Sequence, residues 1–540
     1  MNLSRNYFNK LMITCGVGMS LLPSTALQAQ ESKRPNIIFI MADDHANRAI
    51  SAYDGSINRT PNIDRIANEG AIFRNNFCAN SICGPSRASI LTGKHSHKNG
   101  VTGNGSEWNG KQTLLPRVMK QDGYNTALIG KWHLNNNPGD EFDYWKILMG
   151  AGRQGFYYNP DFVTSDGKTE MMHGYSTDLI TDEALGWLNE KGGGQKPFML
   201  FVQYKAPHVP RMPEFRFLDR YVNDTIPEPE TLYDDYKTRS SYANEANMKI
   251  GKRIKILPLL KDHDPNDNIY YARMTKEQLE KWHSFKDPET KKILEMKRQG
   301  MLKGDAAKSI AYQRFIKDYI RCIDGVDENV GRLLSWLDQH PEIKKNTIIV
   351  YSSDQSYFTG QHGWAEKRFM YEDGMRMPLV MRWPKVIPAG VEVEELVQNI
   401  DFAPSFLEMA GIKVPKEMQG ESFLKLIDGS KSKDWRESLY YHYYDHGKHN
   451  VPRHEGVRSN RYKLIHYYTD DVWEFYDLKE DANEVNNLYG NTKYEKQIQQ
   501  LKKELYRLRE QYEVPDSNFE APYVPVRSHR KRKKPKNNSI

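Results

Sequence analysis

Four short apolar runs constrain the fold of this chain most strongly, because each is directly followed by polar, chemically active residues. Each run has the length and the unbroken apolar character of a strand that is buried on both faces. The runs and the residues after them are NIIFIMA (36–42) before Asp43 and Asp44, TALIG (126–130) before Lys131 and His133, FMLFVQY (198–204) before Lys205 and His208, and TIIVYSS (347–353) before Asp354 and Gln355. Helical patterns lie between them, as in residues 319–339, so we predict an α/β fold with a largely parallel sheet. Such sheets place their sites at the carboxyl ends of the strands.

Length and patterning predict two structural units. A chain of 540 residues exceeds the size at which a single hydrophobic core usually stops growing. We predict a large α/β domain over residues 30–429, with a charged helical insertion at 225–300, and a smaller subdomain over 430–515. In the smaller unit, the runs 462–468 and 473–478 are separated by TDDV, which predicts a β-hairpin. A terminal amphipathic helix should follow, with an apolar stripe at Ile498, Leu501, Leu505, Leu508 and Tyr512.

The two ends of the chain have a composition unlike the rest. Residues 1–29 combine early positive charges, the apolar run LMITCGVGMSLL and a small-residue end at Ala29, which predicts a secretory signal peptide. No later run is long and apolar enough to cross a membrane, so we expect an exported protein, periplasmic or secreted. Residues 516–540 form a basic tail that we predict to be disordered. Its Lys and Arg residues account for the net charge of +7, so the charge does not indicate a nucleic-acid-binding protein.

The cysteines do not form the pattern of a disulfide framework. Of four, one lies in the predicted signal peptide, and an odd number is left, although Cys78 and Cys83 could pair in an oxidising compartment. Cys83 opens the stretch CGPSRASILTG, in which Pro85 suits a first helical turn and Gly93 suits a helix end. We therefore place Cys83 just ahead of a helix N-terminus, where the aligned N–H groups favour an anion. Arg87, one turn further on, can reach the same point, so the stretch predicts an anion site with a reactive group at its mouth.

CGPSRASILTG resembles the signature C-x-P-S-R-x-x-x-L-T-G of the type I sulfatases, in which a maturation enzyme oxidises the cysteine to formylglycine. MADDHA, GKWHL, YKAPH, SDQSYFTGQHGWAEKRFMYE and GVRSNRYKLIHYY…WEFYDL also occur in the order typical of that family. The resemblance spans residues 34–515, and the set is most similar to bacterial N-acetylglucosamine-6-O-sulfatases that act on glycosaminoglycans. It implies a sulfuric ester hydrolase with an alkaline-phosphatase-like large mixed sheet flanked by helices, and a C-terminal antiparallel β subdomain plus helix.

The resemblance also implies how the residues share the chemistry. Cys83, as formylglycine hydrate, would supply one hydroxyl that attacks sulfur and a second that is deprotonated when sulfate leaves, which divides the reaction into two easier steps. Arg87 would orient the hydrate. His133 would take the proton from the second hydroxyl, and His208 would protonate the leaving sugar oxygen.

A metal ion and two lysines complete the implied site. Carboxylate and amide oxygens at two strand ends suit a hard cation, and we expect Ca²⁺. Gln355 stands where related phosphatases would carry a zinc-binding His, and many sulfatases carry Asn there. Lys131 and Lys367 would neutralise the sulfate oxygens as point charges. The expected ligands are Asp43, Asp44, Asp354, Gln355 and formylglycine 83.

The expected substrate is a sulfated oligosaccharide. Residues 446–463 join the two predicted units and are rich in His and Arg, so we predict a lip over the site, with Arg453 and His454 contacting the terminal sugar. A solvated charged loop is the alternative for this segment. The expected reaction is exo-acting removal of 6-O-sulfate from non-reducing-end N-acetylglucosamine of heparin or heparan sulfate. His362 could lie behind the site, and Lys205 is left out of the core set because family members often differ there.

Three other functions stay open from the sequence. The enzyme could desulfate another glycan, of the mucin, keratan or chondroitin type. It could instead be a phosphomonoester or phosphonate hydrolase of the same superfamily. An inactive glycan-binding protein is the third, against which the complete nucleophile and metal set argues.

Overall fold

Ten strands form one mixed sheet whose central strands are parallel. In the computed structural model, which describes residues 34–251, 268–428, 434–445 and 448–520, the strand order is β11-β2-β10-β9-β1-β8-β4-β5-β6-β7. β9, β1, β8, β4 and β5 run parallel, and β10 and β6 run antiparallel to their neighbours. The strands are β1 (Asn36–Ala42), β2 (Ala71–Phe73), β3 (Asn76–Phe77), β4 (Asn125–Gly130), β5 (Tyr144–Met149), β6 (Asp161–Thr164), β7 (Thr169–Met171), β8 (Phe198–Gln203), β9 (Thr347–Ser353), β10 (Leu379–Arg382), β11 (Val391–Val393), β12 (Val397–Gln398), β13 (Ser438–Tyr443), β14 (His454–Ser459), β15 (Tyr462–Tyr467) and β16 (Val472–Asp477).

The four apolar runs are β1, β4, β8 and β9, which lie side by side in the sheet, as predicted. Every residue of β8 and β9 is buried, which explains why those segments carry no polar alternation. In β1, Ile37 and Phe39 belong to the apolar core on one face of the sheet, whereas Ile38 belongs to the core on the other face. Because β9, β1, β8 and β4 run parallel, their carboxyl ends lie at one edge of the sheet.

Helices cover the sheet. The predicted helix 319–339 is the second half of α8, which begins 15 residues earlier and packs against α5 and α1. The helices are α1 (Pro61–Asn68), α2 (Cys83–Thr92), α3 (Ser96–Asn99), α4 (Leu115–Gln121), α5 (Ser176–Lys191), α6 (Ser241–Glu245), α7 (Lys276–Arg298), α8 (Gly304–Gln339), α9 (Pro341–Lys344), α10 (Glu372–Met375), α11 (Phe402–Met409), α12 (Leu424–Ile427), α13 (Glu495–Gln511) and α14 (Ser517–Glu520). Across the described ranges, we find no helix with both the length and the apolar character that a membrane crossing requires.

The insertion at 225–300 is helical mainly in its second half. There α7 begins with a capping box, in which Thr275 accepts from the backbone N–H of Gln278 and the Gln278 side chain accepts from Thr275. The first half contains short 3₁₀ turns and α6, and residues 252–267 lie outside the described residues. Pro227 and Pro229 lack the backbone N–H that a helix interior needs, which the charge pattern alone did not reveal.

The C-terminal sheet is antiparallel, in the order β13-β14-β15-β16, as predicted. β15 and β16 form the hairpin, with Tyr467 opposite Val472. The apolar stripe of α13 is buried against this sheet, in one cluster with Tyr440 and Val457. The predicted boundary at 429/430 and the predicted signal peptide lie outside the described residues. Of the tail, only 516–520 is described, and most of it forms the short helix α14.

Candidate active site

Three carboxylates meet where β1 and β9 end. Asp43 and Asp44 directly follow β1, and Asp354 directly follows β9 in the neighbouring position of the sheet. All three are fully buried, and their ligand oxygens lie within 4.8 Å of one another. The backbone N–H of Asp44 donates to Asp354 Oδ1 at 3.2 Å, which ties the two strand ends together. Burying three acids together is costly unless positive charge lies beside them, which basic side chains or a bound cation can supply, so the cluster is a candidate cation site.

The amide of Gln355 supports that assignment. Its Nε2 donates to the Asp44 carboxylate, while its Oε1 is buried and has no hydrogen-bond partner within the described chain. A buried amide oxygen without a donor is costly, and coordination of a hard cation would satisfy it. The donor set of carboxylate and amide oxygens therefore fits a divalent metal ion of the Ca²⁺ or Mg²⁺ type.

Cys83 is the first residue of α2, and Ile82 is its N-cap, so the helix begins one residue earlier than we predicted. Gly93 ends the helix with a positive φ of 65°, as predicted. The Cys83 sulfur lies 3.5 Å from Asp43 Oδ1 and 3.6 Å from Gln355 Nε2, beside the carboxylates. Cys78, Cys83 and Cys322 are all free thiols, so the Cys78–Cys83 pairing considered above is not formed. Burial raises the pKa of the Cys83 thiol to about 12, so the unmodified thiol would be a poor nucleophile.

Arg87 contacts residues at three strand ends. Its Nε donates to Asp354 Oδ2 at 3.0 Å, and its Nη1 donates to the Lys131 carbonyl at 2.8 Å and to Gln203 Oε1 at 2.7 Å. These partners follow β9, follow β4 and end β8, respectively. Arg87 thus joins α2 to the edge of the sheet and holds one metal-ligand candidate in place.

Two buried lysines pair with the two acids that follow β1. Lys131 Nζ contacts the Asp43 carboxylate, and Lys367 Nζ lies 2.6 and 2.8 Å from the two oxygens of Asp44. Burial is the largest single effect on Lys367 and disfavours its charged form, but Asp44, Cys83 and Glu366 together outweigh it and raise the pKa of this lysine. Lys367 therefore stays cationic, as a residue that faces an anionic group must.

Two histidines stand at the same edge. His208 Nε2 lies 3.8 Å from Asp44 Oδ2, and the Nδ1 of His133 is buried without a hydrogen-bond partner in the described residues. Burial, and after it the nearby Lys131 ammonium, lowers the pKa of both rings well below the usual range. The neutral form of both rings is therefore favoured near neutral pH.

His454 does not lie in an open loop, whereas Arg453 is a half-buried residue in the irregular stretch that precedes β14. His454 is the first residue of β14 and is completely buried, with its ring stacked 5.6 Å from Tyr441. Its Nδ1 lies 2.9 Å from the Pro452 carbonyl, and its Nε2 is buried with no hydrogen-bond partner in the described part of the chain. The Arg453 guanidinium lies 5.3 Å from the Tyr468 ring centre. The solvated-loop alternative is therefore wrong for His454.

His362 is buried and contacts residues outside the carboxylate cluster. Its Nδ1 is 2.7 Å from Arg239 Nη1, and its ring packs against Trp364. Two residues that contact the site were not predicted from the sequence. Gln203 ends β8, so the strand-end rule could have identified it; Asn104, whose Oδ1 accepts from the Gly84 N–H at 3.0 Å, lies in a loop without a recognisable signal.

These features define a class of enzyme. The family model described as "Sulfatase" matches residues 35–412, and the model described as "N-sulphoglucosamine sulphohydrolase, C-terminal" matches residues 360–511. The chain belongs to the sulfatase family and is a sulfuric ester hydrolase. The resemblance drawn from CGPSRASILTG is confirmed, and so is the alkaline-phosphatase-like fold with its C-terminal antiparallel sheet.

One relative and two solved structures are similar to this chain over most of its length. A Bacteroides thetaiotaomicron protein named N-acetylglucosamine-6-O-sulfatase is 46% identical over 517 residues, which cover 92% of this chain and 91% of that protein. A solved structure described as a complex with its substrate D-glucosamine-2-N,6-O-disulfate has a TM-score of 0.85 at 45% identity, covering 90% of this chain and 99% of that one. A phosphonate monoester hydrolase from Silicibacter pomeroyi matches with a TM-score of 0.68 at 18% identity, over 89% of this chain and 96% of its own, and shares the fold alone.

Proposed function

We propose that this enzyme removes the 6-O-sulfate from N-acetylglucosamine at the non-reducing end of heparin or heparan sulfate oligosaccharides. The 46% identity to a protein named N-acetylglucosamine-6-O-sulfatase, over nearly the whole of both chains, carries the proposal. The glucosamine 2-N,6-O-disulfate bound in the similar solved structure is consistent with it. In addition, the cluster of cations and carboxylates at the strand ends suits a small sulfate ester.

Formylglycine at position 83 and a calcium ion are the groups we propose for the chemistry. Asp43, Asp44, Asp354 and Gln355 would hold the ion together with residue 83, because the three carboxylates cluster together and the Asp43 carboxylate and the Gln355 amide lie beside its sulfur. The hydrated aldehyde would supply the attacking hydroxyl, and the calcium ion would stabilise negative charge on the sulfate.

The protein's own side chains would bind and transfer protons. Lys131 and Lys367 lie within reach of the same carboxylates and would neutralise sulfate oxygens. His133 would hold the proton released by the second hydroxyl of residue 83. His208 would deliver a proton to the sugar oxygen, since an alkoxide is a poor leaving group without one. Arg87 would keep the acid that follows β9 oriented.

We propose Arg453 and His454 as contacts to the terminal sugar. The buried Nε2 of His454 without a partner is the observation that favours a ligand there. The rings of Phe369 and Tyr441 against His454 connect it to Arg368, whose carbonyl accepts the Tyr441 hydroxyl at 2.6 Å. A contact held this firmly would fix the sugar relative to Lys367, the neighbour of Arg368.

Export and maturation are part of the proposal. The signal-peptide pattern in residues 1–29 supports a periplasmic or secreted enzyme, and formylglycine requires a maturation enzyme as a transient partner.

A panel of defined sulfated saccharides tests the proposal. We expect sulfate release from 6-sulfated N-acetylglucosamine and from glucosamine 2-N,6-O-disulfate, but not from 2-O- or 4-O-sulfated sugars or from internal residues of longer chains. Desulfation at 2-O or 4-O would overturn the position while leaving a sulfatase. Aryl phosphates and phosphonates belong in the same assay because a phosphonate monoester hydrolase shares this fold. Faster turnover of those esters than of any sulfate would favour the alternative function.

A further inference from the structure

One buried lysine beside the candidate site has no role in the chemistry described above. Lys205 comes two residues after β8, and only 1% of its surface is exposed. Its Nζ donates to the Val209 carbonyl at 3.3 Å and lies 5.2 Å from the Tyr157 ring centre. No described carboxylate lies within ion-pair distance of it, so its burial is costly and calls for a reason.

The carbonyl that Lys205 contacts is also the one that holds His208. His208 Nδ1 lies 2.9 Å from the same Val209 oxygen. A carbonyl oxygen can only accept, so Nδ1 carries the hydrogen and Nε2 is directed toward Asp44, whose Oδ2 is 3.8 Å away. The Tyr157 hydroxyl donates to the His208 carbonyl at 2.5 Å. The Val209 carbonyl thus orients the imidazole of His208, and the Tyr157 hydroxyl holds the His208 backbone. Lys205 Nζ contacts the Val209 carbonyl and lies near the Tyr157 ring.

We propose that Lys205 is a positioning residue for His208. By donating to the Val209 carbonyl, it fixes the acceptor that orients the imidazole and so directs Nε2 at the leaving sugar oxygen. Proton transfer requires hydrogen-bond geometry, and a misplacement of about 1 Å can cost about 10²-fold in rate. A lysine amine keeps N–H donors whether or not it is charged, so the contact persists in both forms. The proposal rests on the acid role proposed for His208.

The dependence of the rate on the leaving group distinguishes a positioning role of Lys205 from a purely structural one. Lys205→Met removes the donor but keeps most of the apolar stem, and Lys205→Arg keeps a donor. We expect Lys205→Met to lower kcat about 10- to 100-fold on the 6-sulfated sugar, with KM within about threefold and little loss on an aryl sulfate with a good leaving group. Lys205→Arg should recover part of that loss. In a His208→Ala background, Lys205→Met should cost nothing further, because both act through one proton transfer.

The controls keep the two proposals distinguishable. Lys146→Met also removes a buried lysine, on β5, that pairs with Glu170 on β7 and Glu183 on α5, and it should leave the ratio of sugar to aryl rates unchanged. If Lys205→Met does not fold, Lys205→Leu replaces it, because leucine also lacks a donor. Equal losses on both substrates, a change confined to KM, or a full further loss in the His208→Ala background would each overturn the positioning role. If His208→Ala itself lost activity equally on both substrates, the acid role of His208 would fail instead.

Discussion

At the residue scale, each of the three converging carboxylates is paired with one basic side chain. Lys131 contacts Asp43, Lys367 contacts Asp44, and Arg87 contacts Asp354. Removing one member of a buried pair leaves an uncompensated charge, which costs about 3–5 kcal/mol of stability. Loss of activity in such variants must therefore be separated from loss of fold. Substitutions that keep the charge count are the more informative ones.

The proposed metal site can be tested by chelation and by substitution of two of its candidate ligands. Chelation should remove activity, and Ca²⁺ should restore it better than Zn²⁺, because the donor set is entirely oxygen. Asp354→Ala should lose at least about 10²-fold in kcat/KM, whereas Gln355→Asn should lose far less because it keeps an amide oxygen. Circular dichroism checks that both variants fold. Restoration by zinc alone would contradict the assignment of a hard cation.

Cys83 and Cys78 form a matched pair for testing the modification. Both thiols are buried, but only Cys83 lies beside the carboxylates; the Cys78 sulfur contacts the Met375 carbonyl at 3.4 Å. Cys83→Ala should abolish turnover with the fold intact, and Cys78→Ser should stay active. Mass spectrometry of active enzyme should find an aldehyde, not a thiol, at position 83. Full activity of Cys83→Ala would rule out the proposed nucleophile.

At the scale of elements, the sequence predicts those features whose physical cause lies within a short stretch of the chain. β1, β4, β8 and β9 could be predicted within a residue because burial on both faces makes each one a continuous apolar run. The apolar stripe of α13 was equally predictable from its helical spacing. The burial of His454 was not predictable, because its neighbours in sequence are charged. His454 is buried because it pairs opposite Tyr443 on β13 and aromatic rings surround it. Such cross-strand contacts leave no local signal, and the same holds for Asn104.

Packing of α13 should be the main source of stability for the C-terminal sheet. Leu505 is fully buried in the cluster with Val457 and Phe475, so Leu505→Ala should lower the free energy of unfolding by about 2–5 kcal/mol. Tyr506, the next residue, is 51% exposed, so Tyr506→Ala should change it by less than about 0.5 kcal/mol. Urea denaturation followed by circular dichroism measures both. Equal effects would mean that α13 is not packed as described.

At the scale of the whole molecule, a buried ion cluster links the C-terminal sheet to the part of the chain that carries the site. Lys463 on β15 lies 2.9 Å from Glu372 and 2.6 Å from Glu484, and Arg458 on β14 lies 3.2 Å from Glu372. Glu372 begins α10, five residues after Lys367. The ion cluster therefore connects the C-terminal sheet to the segment that carries Lys367, a candidate sulfate-binding residue.

Breaking this link should affect both parts. Lys463→Met leaves Glu372 and Glu484 buried without that cation and should cost about 3–5 kcal/mol, with a lowered melting temperature. We also expect lower kcat/KM on the sugar substrate below the melting temperature, because α10 follows Lys367 closely. Lys496→Met, at an exposed position of α13, is the control and should change neither quantity. A variant with unchanged stability would show that the cluster contributes no net energy.

The burial of Cys83 also bears on when the proposed conversion to formylglycine would take place. Only 1% of the residue is exposed, at the start of α2 beside the strand ends. If a modifying enzyme has to bind the surrounding peptide, it would not reach a side chain in that position, so we expect conversion before the chain folds. A molecule that folded first would then keep the thiol and be inactive, however stable it was. Incubating folded, unconverted protein with the maturation enzyme should leave it inactive, whereas unfolding it first should make conversion possible, as mass spectrometry of position 83 would record.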